Sequence, residues 1–262
     1  MTNLREKYGN TALITGASSG IGAAFARELA SQGLNLVIVA RRRERLDSLA
    51  ADLENRHPVQ VLPLVADLAR PGAGQELFAA VEREGWHVDI LINNAGRGSA
   101  GLFAESDLED QLAIIDLNCR GLVAMTRLFL PPMLERGCGA IINVSSTVVH
   151  FSPPGMATYV ATKDFDLSFT RVLAGELRGT NVDLLTVEPG VTRTEFFQSA
   201  GAGEVPESKF SPARTPEQVV ATALANLGRK TVVIDGLANT LVARIMGLLP
   251  TAWIQRLIAS QQ

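Results

Sequence analysis

Tyr159 and Lys163 stand four residues apart, a spacing that puts both side chains on one face of a helix about one turn apart. A tyrosine with an unperturbed pKa of roughly 10 is a poor acid–base catalyst at neutral pH. A nearby ammonium favours the phenolate and moves the group towards usefulness. Taken alone, a Tyr-x-x-x-Lys pair is more often a surface pair than a site. Here a second signal precedes it. Ile141-Ile142-Asn143-Val144-Ser145-Ser146 is an apolar run ending in two serines, with Ser146 thirteen residues before Tyr159. In doubly wound sheets ligands bind beyond the carboxyl ends of the strands, so a hydroxyl at that place can hydrogen-bond a substrate carbonyl.

A different chemistry is carried near the N-terminus by Thr15-Gly16-Ala17-Ser18-Ser19-Gly20-Ile21-Gly22. Glycines allow a tight turn and a close approach to a pyrophosphate, and a following helix offers unpaired N–H groups to it. The spacing is G-x-x-x-G-x-G, and its place between the first apolar run and the first helical segment gives it weight. The second run ends Val39-Ala40-Arg41-Arg42-Arg43. A site for NAD puts a carboxylate there for the ribose 2′-OH; here guanidiniums stand where the 2′-phosphate of NADP would lie. Arg41 is the first candidate and Arg42 the second, so NADP(H) is expected over NAD(H). The bland alternative is a solvated charge run opening the next helix, since Arg43, Glu44 and Arg45 continue it.

These groups need a scaffold, and the chain supplies a regular one. Apolar β-branched runs recur at Thr11–Thr15, Asn35–Ala40, Val59–Ala66, Val88–Ile92, Ala140–Ser145, Val182–Val187 and Thr231–Ile234. Helical patterns fill the gaps at Ile21–Gln32, Arg43–Asn55, Gly74–Glu84, Leu108–Arg136 and Ala157–Arg178. Apolar strands alternating with helices predict an α/β fold, a doubly wound parallel sheet of about seven strands with helices on both faces. A single domain is expected, with 1–236 as the dinucleotide-binding and catalytic body and 237–262 as a helical extension. In that extension Leu241, Ile245, Leu248 and Leu249 share one helical stripe; Trp253, Ile254, Leu257 and Ile258 share another beyond Pro250. Leu241–Leu249 is expected to be part of a lid over an apolar site, with Val191–Pro212 closing beside it. The second stripe is expected to pack on the body or on a neighbouring subunit.

Composition narrows the classes further. The 262 residues are 47% hydrophobic and 19% charged with a net charge of −3, which speaks against a nucleic-acid binder. Two cysteines, Cys119 and Cys138, make neither a disulfide framework nor a metal motif, and a reducing cytoplasm fits them. Residues 1–10 carry Arg5, Glu6 and Lys7 with no apolar run, so no secretory leader is expected. No stretch reaches the roughly 20 apolar residues that span a bilayer, so no membrane partner is expected.

The ordered set of motifs resembles the short-chain dehydrogenase/reductases over residues 9–236. It comprises the Thr15–Gly22 turn, Asp67 after the third strand, Asn93-Asn94-Ala95-Gly96 after the fourth, and Asn118. It continues with Ser146, Tyr159-x-x-x-Lys163, and Pro189-Gly190 with Thr194 after the sixth strand. The resemblance implies a Rossmann fold and hydride exchange between NADP(H) and a carbonyl/alcohol substrate. It implies that Tyr159 moves the proton, Ser146 orients the carbonyl, and Lys163 lowers the Tyr159 pKa and bonds the nicotinamide ribose. Asn118 would hold a relay water. Thr15, Gly16, Ser18, Ser19, Gly20, Ile21 and Gly22 would cradle the phosphates. Asp67 and Leu68 would lie by the adenine, Asn94, Ala95 and Gly96 along the cofactor, and Pro189, Gly190, Val191 and Thr194 at the nicotinamide side. It further implies a homo-dimer or homo-tetramer, for which Leu128, Phe129, Leu167, Phe169 and Leu173 are the spare apolar residues. Phe151, Met156, Phe196, Phe197, Phe210 and Met246 would wall a hydrophobic substrate, and His150 would merely line the pocket. Two features depart from the family: Ser19 stands where its NADP users often carry a basic residue, and Ala161-Thr162-Lys163 replaces Ala-Ser-Lys. Two rivals remain. A silent cofactor sensor should have lost one of Ser146, Tyr159 or Lys163, and a sugar-nucleotide epimerase or dehydratase would have a longer chain and another glycine spacing.

Overall fold

The protein is described by a computed structural model covering residues 3–201, 203, 212–250 and 253. Helices and strands alternate as α1 (Leu4–Tyr8), β1 (Thr11–Thr15), α2 (Gly20–Ser31), β2 (Asn35–Ala40), α3 (Arg43–Arg56), β3 (Val61–Val65), α4 (Ala73–Arg83) and β4 (Ile90–Asn93). They continue as α5 (Leu108–Ile115), α6 (Leu122–Arg136), β5 (Gly139–Val144), α7 (Ala157–Glu176), β6 (Val182–Glu188), α8 (Phe196–Ser199), α9 (Pro216–Asn226), β7 (Val232–Ile234) and α10 (Leu237–Met246). All seven strands are parallel in the order β3-β2-β1-β4-β5-β6-β7. The fold is the doubly wound α/β sheet the sequence predicts.

The central strands are buried on both faces, which is why they read as continuous apolar runs rather than alternating ones. Alternate side chains go to opposite layers. Ile14, Ile38 and Ile142 join Phe25, Leu29, Leu46 and Val219 under α2, α3 and α9. Leu13, Val37 and Ile141 join Leu77, Val81, Met125 and Phe129 under α4 and α6. Pro63 is tolerated in β3 because that strand lies at the sheet edge and pairs only with β2.

The strand order reverses between β1 and β4, and their carboxyl ends open the crevice where a ligand of such a sheet binds. The Leu108–Arg136 pattern, expected as one helix, is interrupted by a π-turn over Asp116–Gly121 that carries Asn118. Such widened turns often mark functional places.

The spare apolar residues are not the expected ones. Phe129 and Leu167 are buried, and Leu128 and Leu173 pack against the second core layer. Exposed instead are Leu108, Leu112 and Ile115 on α5 and Phe165 and Val172 on α7.

Candidate active site

One cleft of about 600 Å³ runs along the carboxyl edge of the sheet. Of the residues singled out in the sequence, Gly16, Ser18, Ser19, Gly20, Ile21, Arg41, Arg42, Asp67, Leu68, Asn94, Ala95 and Gly96 line it. So do Ser146, Tyr159, Lys163, Pro189, Gly190, Val191 and Thr194. Thr15, Gly22 and Asn118 lie behind its wall, and each has a structural task there.

Thr15 closes β1 against β4: its hydroxyl donates to the Ile92 carbonyl at 3.1 Å and accepts from the N–H groups of Asn94 and Ala95, each at 3.0 Å. Asn94 returns the link by donating to the Thr15 carbonyl at 2.9 Å. Gly16 has φ +68°, and a Cβ there would meet Ala95 Cα at 2.9 Å. A Cβ on Gly22 would come within 2.4 Å of the Gly16 carbonyl oxygen. Backbone therefore rests on backbone behind the turn, leaving the N–H groups opening α2 facing the cleft. That shape suits a pyrophosphate.

Arg42, rather than Arg41, is the guanidinium held at this turn. It donates to Ser18 Oγ at 2.9 Å through Nη2 and 3.2 Å through Nε, and to Ser19 Oγ at 2.8 Å. Ser19 thus serves as an anchor for a basic residue from β2, which gives its hydroxyl a use where the family often places a charge. Across the cleft Thr194 stands against Gly20, 3.0 Å from where its Cβ would be. The segment bearing Thr194 is fixed by Arg214, whose main chain bonds Val191 and Arg193 and whose side chain donates twice to buried Asp235 at 2.9 Å.

At the other end, β5 leads into Ser146, which caps a short turn by accepting from Val148 N–H at 3.3 Å. Ser145 ties the same strand end to α7, donating to the Lys163 carbonyl at 3.0 Å. Tyr159 and Lys163 are both buried in the first turns of α7. The Lys163 ammonium donates to the Val144 carbonyl at 2.7 Å and lies 5.9 Å from the Tyr159 ring centre. Burial raises the Tyr159 pKa to about 12; a hydrogen bond with Ser146 pulls it back, and the Asp166 carboxylate adds to the rise. The Lys163 amine is turned to Val144, and burial lowers its own pKa.

Asn118 accepts from Arg97 N–H at 2.9 Å and donates to the Arg97 carbonyl and Thr162 Oγ1, both at 2.9 Å. Behind it a water-sized cavity of about 10 Å³ is bordered by Asn118, Lys163 and Asp166. Sequence reasoning missed Asp166, which is buried three residues after Lys163. Burial raises its pKa to about 6 against the pull of Lys163, and its Oδ2 has no hydrogen-bond partner. His150 does not line the cleft; its Nε2 meets the buried Glu188 carboxylate at 2.6 Å.

Phe151, Met156, Phe196, Phe197 and Met246 line the cleft beside Tyr159, and Phe196 packs on the Tyr159 ring at 5.2 Å. Phe210 lies outside the described residues. Of the segment Leu241–Leu249, Val242 and Met246 face the cleft together with Asn239, while Leu241, Ile245, Leu248 and Leu249 are exposed. Asn239 is a further residue the pattern did not reveal; it abuts Gly190 where no Cβ would fit. Trp253 is exposed, and Ile254, Leu257 and Ile258 lie outside the described residues. Among the described residues no helix is long and apolar enough to cross a membrane, and no cluster of metal-ligating side chains occurs.

A family model described as short chain dehydrogenase matches residues 10–205. A 7beta-hydroxysteroid dehydrogenase of Collinsella aerofaciens is 34% identical over 238 residues, covering 90% of each chain. A structure from work on 7beta-hydroxysteroid dehydrogenase stereoselectivity matches with a TM-score of 0.89 at 32% identity, over 98% of this chain and 100% of that one. A short-chain dehydrogenase from Sphingobium yanoikuyae, solved in complex with NADPH, matches with a TM-score of 0.80 at 35% identity, over 93% and 97% of the two chains. The likeness runs the length of the chain, and the chain belongs to the short chain dehydrogenase family, an oxidoreductase acting between CH–OH and C=O.

Proposed function

We propose that this protein reduces the carbonyl of a hydrophobic substrate with NADPH, the alcohol oxidation being the reverse of the same reaction. The observation that carries the reading is the single cleft. It joins the glycine turn and Arg42 at one end to Ser146, Tyr159 and Lys163 at the other. Arg42 and Arg41 would hold the 2′-phosphate, the turn residues Gly16 to Gly22 the pyrophosphate, and Asp67 and Leu68 the adenine side. Asn94, Ala95, Gly96, Pro189, Gly190, Val191 and Thr194 would flank the nicotinamide half. The NADPH-bound relative supports that choice of dinucleotide, and cells usually keep this pool reduced, which favours reduction.

When bound, the nicotinamide supplies the hydride. The residues of this chain do the rest. Tyr159, a phenol protonated at neutral pH, gives its proton to the substrate oxygen as charge develops there. Ser146, at the end of β5 in the same cleft, donates to the same oxygen and fixes its place. Lys163, held by Val144 and 5.9 Å from the Tyr159 ring centre, would bond the nicotinamide ribose. With the Asn118 amide engaged, a relay water beside Lys163 would be held by main-chain atoms of the π-turn or by Asp166 Oδ2. Phe151, Met156, Phe196, Phe197 and Met246 give the substrate an apolar wall, and the 7beta-hydroxysteroid dehydrogenase relative supports a bulky alicyclic ketone.

On the same reading residues 1–236 form the working body and 237–262 an extension whose α10 borders the substrate end. The exposed apolar residues of α5 and α7 support a homo-oligomer, and two free cysteines suit a reducing cytoplasm. The test is NADPH oxidation across a panel of aliphatic, aromatic and alicyclic carbonyls. Turnover of apolar ketones with matching alcohol formation is expected. Cofactor binding without turnover of any compound would revive the silent sensor.

A further inference from the structure

Glu195 lies on the loop after β6, yet its carboxylate rests on two arginines from the end of β2 and the start of α3. Arg42 Nη1 donates to it at 2.9 Å, and Arg45 Nη1 reaches both of its oxygens at 2.7 and 2.8 Å. The remaining nitrogens of Arg42 are engaged with Ser18 and Ser19. Its fork thus has one edge on the phosphate turn and the other on Glu195. Side chains of Arg42, Arg45 and Glu195 are 44%, 47% and 47% exposed, so the cluster is open to solvent and adds little to stability. Hydrogen bonds from Arg42 and Arg45 hold the Glu195 carboxyl below the usual range, which keeps it ionised at neutral pH. A carboxylate with its two oxygens on paired guanidiniums presents the same acceptor pattern as a phosphate.

We propose that Glu195 is a cofactor-specificity residue: its carboxylate occupies Arg42, the guanidinium that would grip a 2′-phosphate, and thereby restrains the preference for NADP(H). The inference rests on Arg42 being the 2′-phosphate site. A dianionic phosphate must displace Glu195 from Arg42 or lie beside a like charge on the same guanidinium, and either weakens its binding. A ribose bearing only a 2′-OH meets no such opposition. The carboxylate belongs to the segment between Thr194 and Phe196, so the same exchange frees a loop whose next residue packs on Tyr159.

The experiment is calorimetric titration with NADP⁺ and with NAD⁺, without substrate, of the wild type, Glu195→Gln, Glu195→Ala and Arg42→Ala. Glu195 is exposed, and neither replacement should disturb folding. Both Glu195 variants are expected to bind NADP⁺ about 1.5- to fivefold more tightly, the range in which exposed ion pairs compete, with NAD⁺ affinity unchanged. The gain should shrink at high salt as the charges are screened. Arg42→Ala is expected to lose about tenfold or more for NADP⁺ alone. Weaker NADP⁺ binding by the Glu195 variants, or equal changes for both dinucleotides, overturns the proposal while leaving the phosphate site intact. Equal effects of Arg42→Ala on both dinucleotides would instead remove the phosphate site and this proposal with it.

Discussion

Tyr159 is the residue on which the chemistry turns, and its burial sets the sign of its pH dependence. Withdrawal from water penalises the phenolate and pushes the Tyr159 pKa up to about 12. Reduction needs that protonated form, so its rate is at a plateau on the acid side and falls as pH rises through the ionisation. Oxidation needs the phenolate and rises through the same ionisation. Profiles of kcat/KM against pH in the two directions should therefore slope oppositely at the alkaline end; parallel slopes would take the proton away from Tyr159. At this scale the sequence is most legible where a residue's role follows from its place after a strand. Ser146 reaches the cleft for that reason, and Tyr159 and Lys163 reach it from one face at the start of α7. Arg42, Glu195 and Asp166 were harder to read because their partners lie across the fold: Arg42 and Glu195 are joined by tertiary contact alone, and Asp166 looks like any polar residue until its helix face is seen buried.

The elements matter through the few places where backbone meets backbone. Gly22 has no room for a methyl group against the Gly16 carbonyl and the Asn94 amide, so Gly22→Ala must push α2 away from the turn. The expected outcome is a loss of about 1–3 kcal/mol in stability, the usual cost of overpacking, together with clearly weaker dinucleotide binding. Thermal unfolding and titration check both, and wild-type affinity in the variant would remove the turn from the cofactor site. The strands were readable to within two or three residues because central parallel strands must be apolar on both faces. The unbroken helical reading of Leu108–Arg136 failed because a π-turn adds a residue without disturbing the apolar spacing on either side. α9 went unread although Thr215-Pro216-Glu217-Gln218 spells its start: Thr215 and Gln218 form a capping box with Pro216 at the first helical position.

The whole molecule leaves an apolar face uncovered. Leu108, Leu112 and Ile115 of α5 adjoin Phe165 and Val172 of α7, and α5 packs directly on α7. Two such faces meeting across a two-fold axis would bury one another. Sedimentation at micromolar concentration should therefore find a dimer or a larger assembly, and Leu112→Glu with Val172→Glu should shift it to monomers; a monomeric wild type would contradict this. Phe129 and Leu167, read from periodicity as spare, are buried, since periodicity cannot tell which apolar stripe the sheet takes and which it leaves. The same ambiguity holds for α10, whose more apolar stripe faces outward while Asn239, Val242 and Met246 face the cleft.

At this scale the central claim is that one cleft brings a dinucleotide and a carbonyl together at the Tyr159 phenol. Its most direct test compares Tyr159→Phe with the wild type, following NADPH oxidation with the best apolar ketone and NADPH binding in the same preparations. The substitution keeps the ring against Phe196 and removes only the transferable proton. Turnover is expected to fall by about 10²–10⁴-fold while NADPH affinity stays as it was. A Phe variant that binds NADPH and still reduces the ketone at close to the wild-type rate would contradict the account.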